Sequence, residues 1–479
     1  MSKPVPTSSR DLVLLYCAAA ATALAVFPLL MPGHDFDRGI FVSVAERLLA
    51  GDRLYADVWD NKGPLFYYLV AVERLAGGIG EILGEIFLIA LSSYSIFKLL
   101  TVFSNFRDAL LAGFIAAPII MTGVYYFPGY THLPAVALSF AAFALVAGDR
   151  PVWGGFALGL IVFANILVAP VAFVSVLALC WHRAKAAWYI RIALGGALSA
   201  ALVAALLFLR GELQPFLNSL LLNLVYSQGG LVKAHGLIPR MLAHLSLINF
   251  DRAKIIAAAI CALLLYARLK ASEASRPLFW AAIASLCASV FVLSMTGLWR
   301  QHLQILFIPA ILSVSAVLVC GPQWTMPSRL AAMVVLSWVL SGAAGPGRYL
   351  EAARHLAGDW KSLNAPPPDA AAMLSASKPS AYARFGKNDD YGHAIGLAKW
   401  KLACPRFHQY PFDTSENLET ALHCAAGVDT VLVAPRFAPE QGQPDWNRFV
   451  AEGEKLLASS FACERRGAFR VCHRIAGPV

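Results

Sequence analysis

The chain has 479 residues, 58% of them hydrophobic and 14% charged, and a formal net charge of +10; its mean hydropathy is +0.61. That balance excludes an ordinary water-soluble domain, which must cover its surface with polar groups. It also argues against nucleic acid as a partner, because the basic residues sit in short loops between apolar runs and no nucleic-acid motif is present.

The apolar runs have the length that a bilayer core of about 30 Å demands of a helix, about 20 residues. They fall at 12–32, 83–103, 109–127, 133–148, 154–170, 171–181, 190–209, 254–269, 278–298, 303–320 and 329–345, about eleven spans. No small-residue cleavage site follows the first run, so it reads as a retained helix. The run 171–181 is short and needs its flanks to cross, with only Pro170 dividing it from the run before. Lys3 and Arg10 precede the first run, and Arg107, Arg150, the Arg183–Arg191 cluster, Arg268–Arg276 and Arg329 fall in alternate short loops. Placing all of these in the cytoplasm obeys the positive-inside rule and makes the N-terminus cytoplasmic. Such residues also suit contact with anionic membrane lipid. Loops 33–82, 128–132, 210–253 and 299–302, and the tail from Pro346, are then external. They hold most of the acidic residues and histidines, so the chemistry belongs on that face.

The loop 33–82 carries two expected helices. Arg38–Ala50 places Ile40, Phe41, Val44, Leu48 and Leu49 mostly on one face, with Glu46 and Arg47 off it, which suits a helix lying along the membrane surface. Gly51 ends it. A second helix runs from Pro64, a first-turn proline, to about Leu75. Pro215–Val225, in the loop 210–253, reads as a third interfacial helix. Asn165 lies inside an apolar run and must find a polar partner there. Gly77-Gly78-Ile79-Gly80 lies between helices with no strand before it, so it is not a phosphate-binding loop.

The tail differs in kind. Residues 1–345 form the transmembrane domain, and 346–479 a linker, marked by Pro366-Pro367-Pro368, followed by a small α/β domain. Thr430–Ala434 reads as a buried strand, Asp445–Leu457 as a helix capped by Asp445, and Phe461–His473 as a hairpin around Arg466-Gly467. Four of the nine cysteines lie here. An even set in an exported domain suggests disulfides: Cys463 with Cys472, which flank the hairpin, and Cys404 with Cys424. No CxxC occurs, which argues against zinc.

The strongest chemical feature is His34-Asp35-Phe36-Asp37-Arg38-Gly39-Ile40-Phe41, then Gly51, then Tyr55-Ala56-Asp57-Val58-Trp59-Asp60-Asn61-Lys62-Gly63-Pro64. A carboxylate can take a proton from an attacking hydroxyl, and a lysine can hold a phosphate as a point charge. An ordinary polar loop, with Asp37 capping the following helix, explains the same composition.

The order D-x-G-I-F, a helix ending L-x-G, then Y-x-D-x-x-D-N-K-G-P-L resembles the first external loop of bacterial GT-C glycosyltransferases. These are polyprenyl-phosphate-sugar-dependent enzymes related to protein O-mannosyltransferases and the lipid A aminoarabinose transferase. The resemblance is at motif level over 33–68 and topological elsewhere. It implies a GT-C-like polytopic α-helical membrane protein of about eleven transmembrane helices with interfacial helices, plus a small C-terminal periplasmic α/β domain, in a bacterial inner membrane. It implies an inverting glycosyltransferase that moves a sugar from a polyprenyl-phosphate donor to a cell-envelope glycan, lipid or protein. Asp37, fourteen residues before Gly51, matches the family's catalytic base, with Asp35 the second choice. Asp57, Asp60, Asn61 and Lys62 would bind substrate, Lys62 holding the donor phosphate with Arg300 or Lys233. Tyr226, Lys233, Arg240 and His302 are further substrate-binding candidates on the external face. One departure stands out: where relatives often carry an acidic residue in the second external loop, this chain has His132. His132 could bind substrate or help place a metal, so no cofactor is assigned and a divalent metal is left open. The alternative reading is a membrane transporter or lipid flippase. Against it, the hydropathy pattern shows no internal repeat and the charged residues collect on one face. A non-catalytic assembly or sensor protein is the third reading.

Overall fold

The computed structural model describes residues 36–123, 131–181, 186–228, 251–269, 275–295, 300–320, 325–341, 381–386, 400–406, 415–435 and 437–475, with isolated positions between them. The first expected span, 12–32, and the proline linker lie outside the described residues. The chain forms two compact units: one from Ile82–Ala205 and Gly230–Trp360, the other from Pro32–Glu81, Leu206–Gly229 and Lys361–Val479.

The first unit is helical, as expected of a polytopic membrane protein. Ile79–Phe103, Ala186–Leu209, Arg276–Ser294 and Gln301–Cys320 are long and apolar enough to cross a membrane, and His132–Ala147, Pro151–Ala164, Ala169–Cys180, Ala259–Arg268 and Pro327–Leu340 are shorter apolar helices. Proline in the first turn starts several of them, including Pro151–Ala164 and Ala169–Cys180, because its missing N–H costs nothing there. Every residue from Phe307 to Leu318 is buried, so this helix forms the middle of the unit. In contrast, Ile190, Leu194, Leu198 and Leu202 are exposed along Ala186–Leu209, as a lipid-facing side requires. The helices Pro151–Ala164 and Ala186–Leu209 meet backbone to backbone. A Cβ at Gly155 would lie 2.0 Å from the Ile192 carbonyl oxygen, and one at Gly195 would lie 1.9 Å from that of Val152. Small residues permit this approach, which replaces the hydrophobic drive missing between helices in lipid.

Three sequence expectations shift here. The run 109–127 is not one α-helix: Phe106–Leu111 passes through a π-helical turn, Ala112–Ala116, before Ala117–Met121. Pro118 cannot donate to the ladder, and the wider turn accommodates the break. Gly77–Gly80 is not a connector but the first turn of the helix Gly77–Phe103, with Gly77 at φ +68 reversing the chain beforehand. Asn165 is not inside a helix. It ends Pro151–Ala164 in extended backbone, donates its amide to Thr131 Oγ1 at 2.7 Å, and accepts from the Leu167 N–H at 2.9 Å.

The second unit holds both helices of the segment 33–82 that fall among the described residues. Phe36–Leu49 packs on Pro64–Arg74, with Phe41 edge-on to Phe66 at 4.8 Å between ring centroids. Phe36–Leu49 is not the one-sided amphipathic helix expected from sequence. Arg38 through Leu48 are buried apart from Glu46, which is half-buried. The polar residues are inside because they pair. Arg74 donates to Glu46 Oε1 at 2.7 Å and to Glu81 Oε1 at 2.9 Å, while Arg38 Nε reaches Glu81 Oε2 at 2.8 Å.

A four-stranded sheet completes this unit: β1 Tyr382–Phe385, β2 Thr430–Val433, β3 Phe461–Arg466 and β4 Phe469–Arg474, in the order β1-β2-β4-β3. β1 and β2 are parallel, and β2–β4 and β4–β3 antiparallel. Both β1 and β2 are buried throughout, as parallel strands covered on both faces should be. Helices Ser415–Ala426 and Pro444–Ser460 pack over a core of Phe385, Phe437, Trp446 and Phe449. The second of these starts at Pro444 with Gln443 before it, so Asp445 sits in the first turn rather than at the cap. Proline takes the first position, and Asp445 still faces the positive end of the helix dipole. Disulfides join Cys404 to Cys424 and Cys463 to Cys472, the latter pair directly opposite one another across β3 and β4.

Candidate active site

The turn between the two loop helices is tightly built. Gly51 adopts φ +99, which ends the helix Phe36–Leu49. The chain then doubles back through a bridge of Leu54 to Val58. Tyr55 lies in the left-handed region at φ +64, a conformation that costs a non-glycine residue roughly 1 kcal/mol or more. Its neighbours hold it there: its N–H donates to the Val58 carbonyl at 2.6 Å, and its hydroxyl to the Lys62 carbonyl at 2.6 Å. Burial pushes the Tyr55 phenol well above its usual range, with the nearby Asp60 and Glu212 carboxylates adding to the effect.

The acidic residues of the turn are brought together and already engaged. Asp57 accepts from Arg53 through both oxygens, each at 3.0 Å, and from the Arg53 N–H at 2.9 Å. Those bonds to Arg53 hold its carboxyl down at about 2. Asp60 is buried and accepts from the Tyr67 hydroxyl. Asn61 and Lys62 follow, both half-buried, at the edge of the turn. Asp37 is the second residue of the helix Phe36–Leu49; its side chain lies outside the description. Asp35, Lys233 and Arg240 also lie outside the described residues, as do the side chains of Tyr226 and Arg300.

Several residues central to this turn carried no motif. Glu212 is fully buried and accepts from the Leu54 N–H at 3.0 Å, from Arg210 Nε at 2.9 Å and from the Tyr68 hydroxyl. Burial and the bond to Glu212 raise the Tyr68 phenol. Arg47 and Arg406 contact the turn from two further directions. The available signal was an isolated charge beside an apolar run, as at Glu212, which sequence alone reads as a helix boundary.

In the helical unit, His132 opens the helix His132–Ala147, and its ring lies 5.3 Å from that of His302, centroid to centroid. His302 stands in a 3-10 turn, Arg300–Leu306. Nearby in sequence, the Gly129 N–H donates to Glu85 at 2.7 Å. Among the described residues, no three His, Cys, Asp or Glu side chains converge as a metal-binding set.

No family model matches the chain, and no curated protein sequence does. Solved structures do. ArnT from Cupriavidus metallidurans bound to undecaprenyl phosphate superposes with a TM-score of 0.58 at 14% identity, covering 98% of this chain and 100% of that one. Its apo state gives a TM-score of 0.53 over the same share of both chains. The arabinofuranosyltransferase AftD from Mycobacteria matches at 0.51 and 12% identity, over 99% of this chain but 40% of its own. At such identities the likeness is one of fold. The chain is a polytopic helical membrane protein that shares the fold of these solved structures.

Proposed function

We propose that this protein is an inverting glycosyltransferase that takes a sugar from a polyprenyl-phosphate donor and delivers it to a cell-envelope acceptor on the periplasmic face. One observation carries the reading: an end-to-end likeness of fold to an ArnT whose structure contains undecaprenyl phosphate, in a chain whose first external loop also carries the D-x-G-I-F and D-N-K-G-P sequences. In the reaction, the acceptor hydroxyl attacks the anomeric carbon as the bond to the phosphate oxygen breaks. The hydroxyl proton passes to Asp37, and polyprenyl phosphate leaves with the electron pair. Lys62 holds that phosphate as its charge grows, and such charge stabilisation is where most of the rate arises.

The test uses the full chain in lipid nanodiscs, supplied with mixed polyprenyl-phosphate sugars and envelope extract. Release of polyprenyl phosphate is expected, with Asp37→Asn slower by about 10²–10⁴-fold. Undiminished turnover in Asp37→Asn removes that residue as the base. Absence of release by the wild type from every donor overturns the reading.

A further inference from the structure

We infer that Arg47, together with the segment Cys404-Pro405-Arg406, positions the turn Asp57–Lys62 for a polyprenyl monophosphate, so that the C-terminal part of the chain sets the geometry of the donor site. The inference rests on the glycosyl-transfer reading and adds residues that no motif marks.

Arg47 stands on the inner side of the helix Phe36–Leu49 and is 8% exposed. Burying a guanidinium is unfavourable unless its donors meet acceptors. Arg47 meets three, from three segments: Asp52 Oδ2 at 2.5 Å, the Asp57 carbonyl at 2.8 Å, and the Cys404 carbonyl at 2.7 Å, 357 residues along the chain. One planar group thus ties the end of its own helix, the start of the turn and the tail. Lysine cannot replace it, because a single ammonium lacks the fixed fork that serves separated acceptors.

The next two tail residues grip the turn again. The Trp59 N–H donates to the Pro405 carbonyl at 2.7 Å, and the Arg406 guanidinium lies 3.9 Å from the centre of the Trp59 indole ring. Asp413 pairs with Arg406, with Oδ1 3.6 Å from Arg406 Nη1. Cys404 is in turn fastened to Cys424 in the helix Ser415–Ala426. The turn is therefore held at Asp57 by Arg47, at Trp59 by Pro405 and Arg406, and at Lys62 by Tyr55. Asp57 and Asp60 are occupied by Arg53 and Tyr67, which leaves Lys62 as the residue of this turn suited to a phosphate. A group that stabilises charge must be held within about 0.5 Å of its productive position, and this clamp supplies that restraint.

The experiment uses the full chain in nanodiscs with undecaprenyl phosphate as the probe. Wild type is compared with Arg47→Met, Arg47→Lys, Trp59→Ala, Trp59→Phe and the surface control Arg448→Met. Three quantities are read: hydrogen exchange of the turn amides, Kd for undecaprenyl phosphate, and kcat against KM for transfer. Arg47→Met and Trp59→Ala are expected to speed exchange in the turn, weaken undecaprenyl phosphate binding about tenfold or more, and lower kcat by a similar factor. Arg47→Lys should behave like Arg47→Met, whereas Trp59→Phe, which keeps a ring under Arg406 and the backbone donor, should stay near wild type. Faster exchange with unchanged affinity and turnover overturns the clamp while leaving the function intact. Should Arg47→Met fail to fold, the two Trp59 variants decide the same point. Wild type that neither binds undecaprenyl phosphate nor transfers sugar overturns the function, and this inference with it.

Discussion

Glu212 illustrates what one buried carboxylate does in this fold. Its two oxygens serve a backbone N–H, a tyrosine hydroxyl and an arginine from separate stretches of chain. Glu212→Ala would strand the Leu54 N–H and the Tyr68 hydroxyl, at a cost of about 2–4 kcal/mol; thermal unfolding in detergent should show the loss, and an unchanged midpoint would exclude this role. Asp57 carries a pH signature instead. Its carboxyl is held at about 2 by Arg53, below the ordinary 3.8, so the pairing stabilises the fold fully above 3.8 and is lost as pH falls through about 2. In Arg53→Met, followed by carboxyl-carbon NMR, the Asp57 carboxyl should titrate higher than in the wild type while the Arg53 backbone N–H still holds it below 3.8; an unchanged titration would rule out the Arg53 side chain as the main cause. The sequence marked Asp57 and Asp60 as chemistry, yet their engagement with Arg53 and Tyr67 was not legible there. An i, i+4 arginine looks the same whether or not it pairs.

Among the elements, those with strong local signals were readable. Proline starts, the Gly51 stop and the hairpin at Arg466-Gly467 fall close to the expected places, since these depend on backbone chemistry within a few residues. The helix Phe36–Leu49 was read correctly as a helix and wrongly as one-sided, because Arg38 and Arg47 find their partners at Glu81 and Cys404, far along the chain. Two predictions belong at this scale. Gly155→Leu would force a side chain against the Ile192 backbone and separate the helices Pro151–Ala164 and Ala186–Leu209, destabilising by about 1–3 kcal/mol; a wild-type unfolding midpoint in detergent would show that the contact is dispensable. Replacing Cys404 and Cys424 with serine opens a closure of 20 residues and should cost about 3 kcal/mol. Limited proteolysis should then cut the sheet-containing part first, and equal resistance would count against the bond's contribution.

At the scale of the whole molecule, the compact units do not follow chain order. Pro32–Glu81, Leu206–Gly229 and Lys361–Val479 belong to one unit, although they lie hundreds of residues apart. A ligand that binds only the folded protein must stabilise it, by about 2.7 kcal/mol at one hundred times its Kd. Undecaprenyl phosphate should therefore raise the unfolding midpoint in a concentration-dependent way, and a flat response would speak against a polyprenyl-phosphate site. By itself, the sequence determined that this is a polytopic helical membrane protein, and it marked the apolar stretches of most of the described helices and the acidic turn around Asp57 and Asp60. Hydropathy and turn chemistry are local, and they survive without tertiary contacts. Only the tertiary structure decided that the acidic turn is braced by Glu212, Arg47 and the Cys404–Arg406 segment. Those bonds join residues whose spacing along the chain carries no period and no motif, and each depends on burial that only the folded chain creates.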